Sequence, residues 1–88
     1  MSQGAEIRNC KVFSMYVQGT SATVPDARYI VIIEKAQYSQ SAIFAVDSYG
    51  CHKIAGSTAV DMTASRASGQ LTLNITAANY AQWFFIQA

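Results

Sequence analysis

The chain has 88 residues, of which 51% are apolar and 12% charged, with a net charge of +1. Such a length allows one small domain, which buries only about two thirds of the surface its unfolded chain exposes and so gains from crosslinks, metals or partners. The six basic residues (Arg8, Lys11, Arg28, Lys35, Lys53 and Arg66) stand singly, which excludes the basic stripe of a nucleic-acid binder, and no run of about eighteen apolar residues offers a membrane-spanning helix.

Met1 to Glu6 shows no basic region followed by an apolar core, so it does not read as a secretory signal. Its small polar residues suit the end of a linker from a longer protein. From Glu6 to Val17 the pattern has period two, with Phe13, Met15 and Val17 on one face and Cys10, Val12 and Tyr16 on the other; this is a strand. Gly19 to Asp26 is rich in turn residues and holds the only proline, Pro25, so it reads as a loop. Arg28 to Lys35 is the strongest strand, with Tyr29, Val31 and Ile33 facing one way and Ile30 and Ile32 the other. After a polar turn over Ala36 to Ser41, Ala42 to Tyr49 alternates again, and the two strands form an antiparallel hairpin.

Cys51 to Ala55 and Ala59 to Ala64 are short strands, the second with Val60 and Met62 on its inner face, and Ser65 to Gly69 is a turn. Leu71, Leu73 and Ile75 alternate with Thr72, Asn74 and Thr76. In the last strand Trp83 and Phe85 point one way, Phe84 and Ile86 the other. A strand apolar on both faces needs cover on both, either in the middle of a sandwich or against another subunit. Six to seven strands, turns about every ten residues and no convincing helix define an all-β protein, a small antiparallel β-sandwich of jelly-roll-like form in one domain over residues 1–88.

Candidate chemistry is sparse. Glu34 and Asp47 come near one another if their strands pair, but a domain this small leaves little room for the cleft a glycosidase needs. His52 is the only histidine, no Gly-x-Ser-x-Gly turn supplies a nucleophile, and adjacent Cys51 and His52 project to opposite faces of a strand, so no catalytic residue, metal site or cofactor is assigned. Cys10 and Cys51 read as small buried thiols. Asn74-Ile75-Thr76 matches the glycosylation acceptor pattern inside a strand and is read as coincidence. The tyrosines are numerous. Tyr38, Tyr49 and Tyr80 sit near strand ends with Asp47, Gln37, Gln40 and Asn79 close by in sequence. An aromatic face stacks on a pyranose while amides and carboxylates bond its hydroxyls, which makes Tyr38, Tyr49, Tyr80 and Asp47 the candidate ligand contacts. Trp83 and Phe85 are the candidate subunit contact, since such residues are enriched at interfaces.

Tyr29-Ile-Val-Ile-Ile, Ala42-Ile-Phe-Ala-Val with Tyr49-Gly50, and Gly69-Gln-Leu-Thr-Leu-Asn-Ile-Thr followed by Trp83-Phe-Phe-Ile give residues 28–88 a pattern that resembles the small C-terminal β-sandwich module of bacteriophage tail fibre and tailspike proteins. The resemblance implies a homotrimer closing the end of a longer fibrous protein in the virion tail. It further implies attachment to host-surface polysaccharide, without catalysis, nucleic acid or membrane insertion. A purely structural trimerising or capping domain is the alternative.

Overall fold

The computed structural model describes residues 11–35, 40–76 and 80–87, which form eight strands and no helix. In chain order they are β1 (Lys11–Val17), β2 (Ser21–Pro25), β3 (Tyr29–Lys35), β4 (Gln40–Asp47), β5 (Gly50–Gly56), β6 (Met62–Ala67), β7 (Gln70–Ile75) and β8 (Ala81–Gln87). They build two antiparallel sheets, one of five strands in the order β1-β8-β3-β4-β5 and one of three in the order β2-β7-β6. The all-β sandwich expected from the alternation is the observed fold, with eight strands in place of six or seven.

The added strand is β2, in the stretch expected to be a loop. Ala22 and Val24 are buried and the three residues between and beside them are exposed, so the segment has strand alternation despite its turn-like composition. Pro25 is tolerated because β2 is an edge strand, paired only with β7. The second shift concerns β6, which begins at Met62 and runs through Ala67, beyond the expected end at Ala64. The following turn shrinks to Ser68 and Gly69, both at positive φ (54° and 77°) between the paired residues Ala67 and Gln70. Two left-handed residues in a two-residue loop are what the twist of a tight hairpin favours, and Gly69 takes that conformation without strain.

The core lies between the sheets. Each strand sends alternate side chains inward: Tyr29, Val31 and Ile33 from β3, Ala42, Phe44 and Val46 from β4, Ala81, Trp83 and Phe85 from β8, and Leu71, Leu73 and Ile75 from β7 are all buried. Pairing of β1 with β8 sets Phe13 opposite Phe85, and their rings stack at 4.8 Å with Tyr29 edge-on to both. Such aromatic pairs add about 0.5–1.5 kcal/mol beyond their buried area. The Tyr29 hydroxyl leaves this cluster by donating to the Pro25 carbonyl at 2.5 Å, and burial, with Asp26 adding to it, pushes its pKa up.

Lys11 at the start of β1 pairs with Gln87 at the end of β8. That end of the sandwich also carries the β4–β5 and β6–β7 hairpin turns, and is here called the hairpin end. The opposite end carries the connections after β1, β5 and β7.

Candidate functional site

At the hairpin end the β4–β5 turn is built by Asp47. Its carboxylate accepts from the Tyr49 amide at 2.8 Å, an Asp-initiated turn that holds Ser48 and Tyr49 at the tip. Tyr49 is 91% exposed. The Asp47 carbonyl accepts from the Arg66 guanidinium, whose Nε also donates to Asp26 at 2.8 Å. Arg66 projects inward from the three-stranded sheet, and these bonds tie it to the β4–β5 turn of the other sheet and to the connection between β2 and β3. Two shallow concavities flank Arg28. One, of about 320 Å³, lies between β3 and β4 beside Ile30, Ala45 and Asp47; the other, of about 260 Å³, is bounded by Asp26, Ser48 and Arg66. Both are open and shallow; the second is lined mainly by polar and charged side chains, of which Asp26 and Arg66 already pair with each other. Arg66→Ala removes the bridge between sheets while leaving Asp26 partly solvated, so an expected loss of about 1–2 kcal/mol should appear in the urea unfolding midpoint; an unchanged midpoint would show that the clasp contributes nothing.

Tyr80 is at the other end. It immediately precedes β8, whose Ala81 pairs with Val17, and is 53% exposed at φ 57°, a left-handed conformation uncommon for a bulky residue. Nearby in the chain, the Thr76 hydroxyl accepts from the Asp61 amide at 3.0 Å and donates to the Ala59 carbonyl at 3.2 Å, which pins the connection ahead of β6 to the end of β7. Six residue steps of β8, about 20 Å at ~3.3 Å per step, separate the two ends. The fold therefore does not bring the candidate ligand residues together: Asp47 and Tyr49 share one end, Tyr80 occupies the opposite one, and Tyr38, Gln37 and Asn79 lie outside the described residues. Glu34 and Asp47 are separated for the same reason. Antiparallel pairing sets Glu34 opposite Ser41 at one end of the hairpin and Asp47 beyond Val46 at the other.

Trp83 and Phe85 have no accessible surface in the single chain. Their assignment as a subunit contact is corrected by this burial: they fill the space between the sheets, and the face that β8 turns outward is that of Phe84 and Ile86, both half-buried. The pairing registers place Ile86 beside Val12 and Ile30, with Ala45 and His52 continuing the row. The neighbouring row runs through Ser14, Phe84, Ile32, Ile43 and Ala55. The outer face of the five-stranded sheet is thus apolar at its centre, and no described residue lies over it. Sequence inspection had the signal for this face, since Phe84, Ile86, Ile30, Ile32 and Ile43 all alternate with core residues.

The outer face of the smaller sheet contrasts with it. The registers align Ser21, Asn74 and Thr63, then Thr23, Thr72 and Ser65, and the hydroxyls of Thr23 and Thr72 are 3.3 Å apart. This is a solvated, uncharged polar surface. Elsewhere, Lys53 turns inward over the Phe44 ring (5.9 Å to the centroid) and pairs with Asp61 at 3.2 Å. Cys51 is a free, half-buried thiol whose pKa is raised by burial, with Arg66 opposing and Asp47 reinforcing the shift; Cys10 lies outside the described residues. His52 is exposed. Among the described residues no group of three or more His, Cys, Asp or Glu is placed to hold a metal ion.

No protein family, no curated protein and no solved structure matches the chain. The fold and its surfaces are therefore the basis for a functional reading.

Proposed function

We propose that this chain is a non-catalytic, trimeric tip module of a longer fibrous virion protein of the tail fibre or tailspike kind, which attaches to host-surface carbohydrate. The observation that supports the reading is that the start of β1 and the end of β8 lie side by side at one end of the sandwich. Because Lys11 and Gln87 are neighbours, a shaft preceding β1 joins at the hairpin end, and the end with Tyr80 points away from it. A half-exposed tyrosine held at positive φ on that free end suits a contact with a sugar ring, since strained backbone of this kind clusters at ligand-contact positions. Tyr49 and Asp47 lie at the shaft side in this arrangement, and the Asp47 carboxylate is engaged in its own turn.

The separation of the candidate ligand residues between two ends favours a second reading, in which the module trimerises and caps without binding any glycan. A glycan and polysaccharide array probed with the purified chain separates the two. The attachment reading expects binding that Tyr80→Ala reduces about tenfold or more, the scale of one stacking contact, and that Tyr49→Ala leaves intact. A folded chain that binds no glycan leaves the structural reading. Binding lost with Tyr49 and kept without Tyr80 would reverse the polarity assigned here.

A further inference from the structure

We infer that the outward face of the five-stranded sheet is the surface through which copies of this chain pack against one another. The inference rests on the assembly half of the proposed function and does not depend on carbohydrate binding. The registers bring Ile30, Ile32, Ile43, Ala45, Phe84 and Ile86 side by side on the three inner strands β8, β3 and β4. All six are half-buried, and none of the other described strands packs over them. Toward the β1 edge the patch continues with Val12 and Tyr16, 70% and 58% exposed.

The face is close to interface size. Five strands about 4.8 Å apart and about seven residues long span roughly 500 Å². That lies within the roughly 300–600 Å² of the largest apolar patch on a typical monomer, patches that are often functional. It also approaches the roughly 600–1,000 Å² that each partner gives to a specific contact. The layout is that of an interface: an apolar centre without charge, and charges confined to the rim. Arg28 and Asp47 extend the face at the hairpin end and Glu34 marks the far end, while the β5 edge carries the polar His52.

The rim fits a further copy of the chain as the occupant. It carries both signs, with Arg28 and Asp47 on adjacent strands at one end, so neighbouring copies aligned in parallel present opposite charges to each other. A strongly acidic or basic partner would call for a rim of a single sign. The contact is made by the face, which each of three copies turns toward a common axis. At the β5 edge strand addition is disfavoured, because β5 is bulged at Ile54, where Ile43 pairs with Ala55 and Phe44 with Lys53. The hydroxyl and amide face of the other sheet then looks outward to water.

The test is sedimentation equilibrium on the wild-type chain, Ile32→Lys, Ala45→Arg and Thr72→Lys, with circular dichroism and urea melts confirming each fold. Wild type and Thr72→Lys, whose substitution is on the polar face, are expected to sediment as the same trimer. Ile32→Lys and Ala45→Arg are expected to weaken association about a hundredfold or more, as charge placed at the centre of a dry interface does. Ala45→Arg replaces a small side chain and serves where Ile32→Lys compromises folding. A wild type that remains monomeric at about 100 µM, a concentration at which even modest contacts associate, overturns both this inference and the trimer. A wild-type trimer that both variants retain overturns the assignment of this face and leaves the trimer standing.

Discussion

Replacing Trp83 with alanine is expected to cost about 3–5 kcal/mol, a large share of the roughly 5–15 kcal/mol that stabilises a domain. Trp83 is the largest fully buried side chain. It lies on β8, an inner strand between β1 and β3 of the five-stranded sheet, where the neighbouring strands leave little freedom to collapse onto a cavity. Its ring stacks on Phe85 at 6.1 Å, so the loss also loosens the aromatic cluster with Phe13 and Tyr29. The companion variant Trp83→Phe should behave quite differently. The indole Nε1 is buried with no hydrogen-bond partner among the described residues, and an orphaned donor costs about 1–3 kcal/mol. Phenylalanine keeps most of the apolar volume and removes the donor, so its net change is expected within about 1.5 kcal/mol of wild type. Urea unfolding of both variants checks this. A Trp83→Ala protein as stable as wild type would mean that β8 does not pack as described.

What the sequence made legible follows from period two. On β7 the alternation picks out the inward set, because Thr72 and Asn74 on its other side are polar; on β3 and β4 it separates the two sets without saying which is inward, since Ile30, Ile32 and Ile43 are apolar as well. On β8 both sets are apolar, and alternation cannot say which is inward; the pairing of β8 with β1 and β3 settles it in favour of Trp83 and Phe85. The end of β6 was hidden for another reason. Its third inward residue is Arg66, which is acceptable there only because Asp26 and the Asp47 carbonyl arrive from other segments. No local pattern announces such a partnership. β2 was hidden by composition, since Pro25 and Gly19 signal turns and only its edge position admits proline within a strand.

The separation of the candidate ligand residues, in contrast, was available from strand counting. Tyr49 and Tyr80 have three strands between them, and an odd number of antiparallel passes puts two connections at opposite ends. The same arithmetic separates Glu34 from Asp47, with a single strand between them. Residue type and nearness to strand ends suggested a shared site, and strand direction decides against it. The candidate interface is the better-founded surface because its members are neighbours by hydrogen-bonded register, a stricter criterion than common position near loops.

Gly56→Ala is expected to destabilise the chain by about 2–5 kcal/mol, combining backbone strain with overpacking. Gly56 ends β5 opposite Ala42 at φ +114°, a conformation that side-chain-bearing residues rarely adopt. A Cβ there would overlap both the Ala42 Cα and the Ser41 carbonyl oxygen. Neither can yield cheaply, because both are backbone of an interior strand. The Ser41 carbonyl also accepts from the Ser57 amide at 2.7 Å, and the Ser57 carbonyl accepts from Lys53 at 2.8 Å, so displacement at Gly56 propagates to the connection that leads into β6. Gly19 supplies the control: nothing lies within 4 Å of a Cβ added there, and Gly19→Ala is expected within about 0.5 kcal/mol of wild type. Equal urea midpoints for the two variants would show that β4 and β5 do not approach so closely. A large gap between them would place a close backbone contact at the end of the bulged strand, where β5 is held in the sheet despite the extra residue at Ile54.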